Sequence, residues 1–200
     1  GATHHGVWDL ASMLPVPNMV ILAPRDLNEL RVMMRWTQEN ESPCAIRYGR
    51  ESVDLSVRYP AQDKPFRIGE WELMEQGEDV ALLAVGSMVA EAIEVRDLLE
   101  KRGIHAALVN CRSVKPMDEK MLRQLANRPI VTMEEHVLTG GLVCAFLSGE
   151  GLPAPMLSFG IPDTFVQHGR RDQLLKYLGL TPELMTQRIV IALKNGEKHQ

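Results

Sequence analysis

Two adjacent histidines, His4 and His5, sit between glycines in Gly1-Ala2-Thr3-His4-His5-Gly6, directly ahead of an amphipathic segment carrying Val7, Leu10, Ala11 and Leu14. Glycine lets the backbone bend sharply and approach a ligand. Imidazole donates, accepts and titrates near neutral pH. The pattern suits a substrate-contacting or proton-transferring group held on a loop ahead of a helix. A loop histidine bonded to backbone, or the remnant of a tag, is the competing reading, although two histidines are few for a tag. Such a loop normally has a strand before it and a partner across from it. We therefore expect this chain to be a piece of something larger.

Arg47 and Arg50 lie at the end of the apolar run Cys44-Ala45-Ile46. Ligands of open α/β sheets sit outside the carboxyl ends of strands, and arginine grips a phosphate with paired hydrogen bonds. Arg47 lies within the strand, where an ion pair is its ordinary use; Arg50, in the following loop, is the better ligand contact. Glu134-Glu135-His136 also follows a strand, with Gly140-Gly141 opening a helix. Adjacent side chains diverge, so these three cannot all face one metal. Capping and domain contact are favoured there over acid–base or anion-binding work. Phe165-Val166-Gln167-His168-Gly169 reads as a helix-entry turn. Gly86-Ser87 after an apolar strand only hints at a nucleotide site, since no GxGxxG or GxxxxGK[ST] pattern is present. No Ser-His-Asp or Cys-His arrangement follows from the spacing.

The elements that must position these residues alternate. Residues 18–23 read as a buried strand ended by Pro24. Asp26 caps a helix to about Asn40, with Glu29 three residues on as in a capping box. Residues 44–48 form the next strand, completing a parallel crossover unit. Residues 51–78 are polar and carry Pro60 and Pro65, with one alternating stretch, 66–74, read as an edge strand or hairpin arm. Strands then recur near 80–85, 105–110, 129–133 and 155–159. Helices recur near 89–101, 118–127, 141–147, 170–178 and 182–194, the last capped by Thr181 with Pro182 in its first turn. Unbroken apolar strands alternating with helices imply a mostly parallel sheet covered by helices on both faces. The expected division is residues 1–50 as part of an α/β domain, 51–74 as linker and edge strand, and 75–200 as a complete α/β domain.

A chain of 200 residues with 45% hydrophobic and 24% charged residues has ordinary globular composition. A net charge of −4 offers no basic nucleic-acid footprint, and no apolar run approaches a membrane span. Cys44, Cys111 and Cys144 are odd in number and far apart. Buried thiols in a reducing cytosol are the expectation, rather than zinc or disulfides. Most methionines occupy apolar positions of helices and strands and read as core filler.

Taken in order, the segments resemble the 1-deoxy-D-xylulose-5-phosphate synthases, a family of transketolase-like enzymes. The resemblance rests on the Thr3-His4-His5-Gly6 loop with Asp9-Leu10, Pro17 to Ile21, Ala23-Pro24, Asn28-Glu29-Leu30 and Ile46 to Arg50. It continues through Val85-Gly86-Ser87, Arg112 to Asp118, Thr132 to His136 with Gly140-Gly141, and Gly160 to Asp163 with Phe165 and His168-Gly169. The resemblance implies thiamine-diphosphate- and Mg2+-dependent cytoplasmic homodimers that join pyruvate, with loss of CO2, to glyceraldehyde 3-phosphate, feeding isoprenoid and thiamine synthesis. It implies that residues 1–50 are the tail of a pyrimidine-binding domain and that 75–200 are a transketolase-type C-terminal domain. The main cofactor-binding groups would lie in an N-terminal part of the same protein, outside this chain. By position, His4 matches the family histidine facing cofactor and substrate, and Arg50 the arginine that holds the aldehyde's phosphate. The family has Arg-Tyr-Pro-Arg-Gly around that arginine, where this chain has Gly49 and Glu51. No metal ligand and no cofactor-binding residue is assigned within the chain, which alone should be inactive. Two alternatives stay open: another transketolase-type enzyme, such as a split transketolase or the β subunit of a 2-oxoacid dehydrogenase, and a non-catalytic dimerising or regulatory module.

Overall fold

The computed structural model describes residues 4, 6–49, 59, 65–137, 141–152 and 154–197. After a 3-10 turn at Gly6–Trp8 the elements run α1 (Asp9–Met13), β1 (Val20–Leu22), α2 (Leu27–Glu39), β2 (Cys44–Ile46), β3 (Glu72–Glu75) and β4 (Val80–Ala84). They continue with α3 (Met88–Glu100), β5 (Ala106–Asn110), β6 (Ser113–Lys115), α4 (Glu119–Leu125) and β7 (Ile130–Val137). The last four are α5 (Gly141–Gly149), β8 (Met156–Ile161), α6 (Arg171–Tyr177) and α7 (Pro182–Glu197).

The apolar runs of β4 and β5 are buried at every residue and lie at the centre of a five-stranded sheet ordered β3-β5-β4-β7-β8. Strand side chains alternate between faces. Val80, Leu82 and Ala84 therefore pack with α3 and α7 through Met88, Val95, Leu99, Met185 and Ile189. Ala81 and Leu83 pack on the other face with Leu122, Leu125 and Leu147 of α4 and α5. Two covered faces explain the unbroken apolar strands. All pairings are parallel except the edge strand β3, which runs antiparallel to β5. Gly77 leads into β4 so close to β5 that a Cβ would stand 2.2 Å from the Ala106 carbonyl carbon, a site only glycine can occupy.

The first fifty residues do not stand apart. β1 and β2 pair in parallel as expected, but β1 is also joined on its other side, antiparallel, by β6. A three-stranded sheet, β2-β1-β6, thus takes its last strand from the C-terminal half. No sequence pattern pointed to β6. Leu22 and Met33 are fully buried beneath it with Val20, and Trp36, Phe66 and Ile68 pack around them. Asp26 caps α2 as the sequence indicated, its carboxylate accepting from the Asn28 and Glu29 N–H groups at 2.8 Å. Among the cysteines only Cys111 is buried; Cys44 is half-buried and Cys144 exposed, so the expectation of three buried thiols fails at α5's outer face. Among the described residues no helix is long and apolar enough to cross a membrane.

Candidate active site

The run Glu134-Glu135-His136 belongs to β7 itself rather than to a loop after it. β7 stops pairing with β4 at Met133 and continues beside β8, with the register slipping between Met133 and Val137. This overhang brings the three side chains to the carboxyl edge of the sheet, with period-two alternation. Glu134 and His136 turn to one side, Glu135 to the other.

Glu135 accepts from the Ser87 hydroxyl in a very short contact and from Arg171 Nε at 2.7 Å. Arg171 also meets Glu91 at 2.8 Å. Burial opposes the Arg171 charge, but Glu135 and Glu91 outweigh it and raise its pKa further. Gly86, at φ 57°, makes the turn that presents Ser87. A Cβ there would meet Ala23 at an ordinary 3.4 Å, so it is the positive φ that favours glycine. Gly86-Ser87 thus joins β4 to α3, with the Ser87 hydroxyl held by Glu135.

His136 lies 1% exposed. Its Nε2 stands 3.8 Å from Asp9 Oδ1 and its Nδ1 3.8 Å from Glu134 Oε2. Both distances are too long for hydrogen bonds, and neither ring nitrogen has such a partner among the described residues. Burial, reinforced by Arg47, pushes the His136 pKa down to about 3. The ring is therefore neutral at pH 7 despite two neighbouring carboxylates. Arg47 reaches Asp9 with Nε at 3.5 Å and donates from Nη2 to the Glu135 carbonyl at 3.3 Å. Arg47 lies one residue past the end of β2, not within the strand as expected, and has the ion-pair role anticipated for it.

Behind this edge a second charged group is sealed between the same halves. Glu29, 2% exposed, accepts from the Arg25 N–H at 2.9 Å and from Asn110 Nδ2 at 2.8 Å. Arg25 Nη1 donates to Glu72 at 2.8 Å. Arg112, 1% exposed, lies 3.8 Å from Glu29 and donates to the Glu70 carbonyl at 3.2 Å. Burial raises the Glu29 pKa, against the Arg25 N–H and the Arg25 and Arg112 charges. The sequence identified Glu29 as a capping-box residue. Its wider use, as the centre of a buried ionic cluster, needed contacts from residues some eighty positions away.

His4 is exposed in a bend ahead of the 3-10 turn. The Trp8 ring in that turn meets Phe165 edge to face at 5.4 Å. The loop after β8, read from sequence as a helix-entry turn, therefore also closes on the histidine segment. The His4 segment, Arg47 and Glu134–His136 converge on one edge. His5, Arg50, Gly140 and most of the 51–64 linker lie outside the described residues. Among the described residues no three His, Cys, Asp or Glu side chains gather as a metal would require.

Comparison with known proteins agrees with this architecture. Residues 69–185 match the model for "Transketolase, C-terminal domain" and residues 1–54 that for "Transketolase, pyrimidine binding domain". Curated relatives include 1-deoxy-D-xylulose-5-phosphate synthase of Aquifex aeolicus, 41% identical over 98% of this chain and 32% of the relative. That of Heliobacterium modesticaldum is 43% identical over 90% of this chain and 29% of the relative. The chain thus spans about a third of the length of these relatives. A solved structure titled as a split-gene transketolase, inactive beta4 tetramer, superposes with a TM-score of 0.85 at 35% identity, over 97% of this chain and 63% of that one. Transketolase from Campylobacter jejuni shares the fold at a TM-score of 0.77 and 18% identity, over 95% of this chain and 29% of its own.

Proposed function

Because the chain belongs to the transketolase family, whose C-terminal domain it carries over residues 69–185, we propose that it is the C-terminal portion of a 1-deoxy-D-xylulose-5-phosphate synthase. The observation that carries this reading is identity of 41–43% to enzymes of that name across 90–98% of the chain. The whole protein would join pyruvate, with loss of CO2, to glyceraldehyde 3-phosphate. It would do so as a homodimer with thiamine diphosphate and Mg2+, bound mainly by residues outside this chain. Residues 1–50 would close a pyrimidine-binding domain, 51–74 would connect, and 75–200 would form the C-terminal domain.

Within this assignment His4 faces the substrate as a hydrogen-bonding and proton-transferring group, and Arg50 holds the aldehyde's phosphate. His4 is exposed and lies one short turn before Asp9, which both Arg47 and His136 face, and this supports its role. Carboligase assays of the full-length protein test the reading. Arg50→Ala should raise KM for glyceraldehyde 3-phosphate about ten- to a hundredfold, the loss of a charged hydrogen-bond partner. An unchanged KM would remove Arg50 from the site and favour a regulatory role for this part of the protein. The 200-residue chain by itself should be inactive; turnover by it would overturn the fragment assignment.

The likeness to the split-gene structure favours a second reading, a subunit of a divided transketolase. Product analysis with pyruvate and glyceraldehyde 3-phosphate separates the two.

A further inference from the structure

Buried polar groups are almost always hydrogen-bonded, yet His136 has no such partner on either ring nitrogen among the described residues. The ring is instead flanked by Asp9 Oδ1 and Glu134 Oε2, one 3.8 Å from each nitrogen. A neutral imidazole has one N–H. It can donate to only one of these carboxylates at a time, and its bare nitrogen then confronts the other, lone pair to lone pair. Closing either gap to hydrogen-bond length takes a movement of about 1 Å.

The two carboxylates differ in what they can move. Glu134 belongs to the same strand as His136 and is fixed by it. Asp9 opens α1 on the opposite half. Its Oδ1 accepts from the Leu10 N–H at 2.8 Å and its Oδ2 pairs loosely with Arg47 at 3.5 Å. Arg47 in turn donates to the Glu135 carbonyl. Asp9 is thus tethered to β7 through Arg47 and faces His136 beside that tether. His4 precedes Asp9 by one short turn, Gly6–Trp8, in which the Trp8 ring also packs against Phe165. Where Asp9 settles decides where the chain leaves that turn, and so where His4 stands.

We propose that His136 is a positioning residue for the loop that bears His4, donating from Nε2 to Asp9 when the loop is drawn against the C-terminal domain. The residue acts through Asp9 and touches no substrate. The inference rests on the proposed active-site role of His4.

The test uses the full-length protein with His136→Phe, His136→Gln, Asp9→Asn and the His136→Phe/Asp9→Asn pair. Phenylalanine fills the ring's volume without a donor, whereas the glutamine amide places a donor near the Nε2 position. Hydrogen exchange followed by mass spectrometry should be about tenfold faster in His136→Phe over residues 4–10, reporting local opening. His136→Gln should return it towards the wild-type rate. In turnover, kcat should fall about tenfold in His136→Phe, as expected for a misplaced group, with KM for both substrates unchanged and kcat regained in His136→Gln. The double variant should be no worse than its worse parent, because both changes remove one contact. Unaltered exchange at residues 4–10 in His136→Phe, equal losses in Phe and Gln, or independent effects of the two substitutions would each overturn the proposal. Absence of deoxyxylulose phosphate product from the wild-type protein would instead reject the proposed reaction, while the exchange measurement would still decide His136.

Discussion

Two charged junctions cross between the same halves of the molecule, and they are built to different tolerances. Around Glu29 the hydrogen bonds are short, 2.8–2.9 Å to Arg25 N–H and Asn110, with Arg25 gripping Glu72 at 2.8 Å, while Arg112 stands 3.8 Å off. Only Asn110 Oδ1 and Arg112 Nη1 stay without hydrogen bonds there, among the described residues. Around His136 the comparable separations are 3.5–3.8 Å. Exposure separates them as well: Glu29, Arg25, Asn110 and Arg112 are all buried, whereas the Asp9 side chain facing buried His136 is 31% exposed. Position agrees: the tight junction lies against β3 and the end of β5, the loose one beside the segment that carries His4. Low dielectric strengthens satisfied pairs and penalises unsatisfied ones alike. A tight cluster therefore anchors, whereas a loose one leaves its segment free to choose between contacts.

This contrast can be broken most forcefully at the anchor. Arg112→Ala leaves Glu29 with less compensation in a dry site and should cost about 3–5 kcal/mol, read as a lowered urea midpoint of the full-length protein. A loss no larger than that of a surface substitution would mean the cluster is not an anchor.

Acid separates the junctions by sign. The folded pKa of His136, about 3, lies below the value near 6.5 of an unfolded chain. The unfolded state binds more protons between these values. His136 therefore withdraws stability as pH falls through that window, by up to about 1.4 kcal/mol per pH unit. Glu29 is raised above its ordinary 4.5, so the folded state binds more protons just above that pH. Its contribution is fully present below 4.5 and is lost as pH rises through the folded pKa. Thermal midpoints from pH 4 to 7.5 should show His136→Phe flattening the acid decline. Glu29→Gln should remove an opposing, smaller gain at the acid end. Parallel profiles for the two variants would erase the distinction.

The smallest expected effect belongs to the cap that leads into the anchor. Asp26→Ala forfeits two N–H contacts and should cost about 1 kcal/mol, measured by the same denaturation. A loss several times larger would place Asp26 inside the ionic cluster rather than beside it, through its 3.4 Å contact with Arg25.

What the sequence made legible follows the range of the interactions. The parallel sheet, the helix boundaries to within a few residues, the Asp26 cap and the edge strand β3 all rest on local periodicity and turn chemistry, which neighbouring residues determine. β6 escaped because three residues, Ser113–Lys115, carry too few alternations to signal a strand, and its partner β1 is far off in sequence. The Glu134–His136 run was read as capping and domain contact; in the structure His136 stands 3.8 Å from Asp9. That neither ring nitrogen finds a hydrogen bond among the described residues depends on Asp9 and Arg47 from separate elements, which no spacing along β7 encodes. Glu29 was legible as a cap and not as a cluster for the same reason.

The pairing of Ile21 with Lys115 also has a bearing on the order of events during synthesis. A ribosome adding roughly 5–20 residues per second would complete β1 about 5–20 seconds before β6 emerges. Over that interval one side of β1 has nothing to pair with, the kind of open edge that invites a neighbouring nascent chain. Its length of three residues and the prolines at 15, 17 and 24 make it a poor template for such an encounter. The brevity of β1, which weakens it as a strand, is what keeps it safe while it waits.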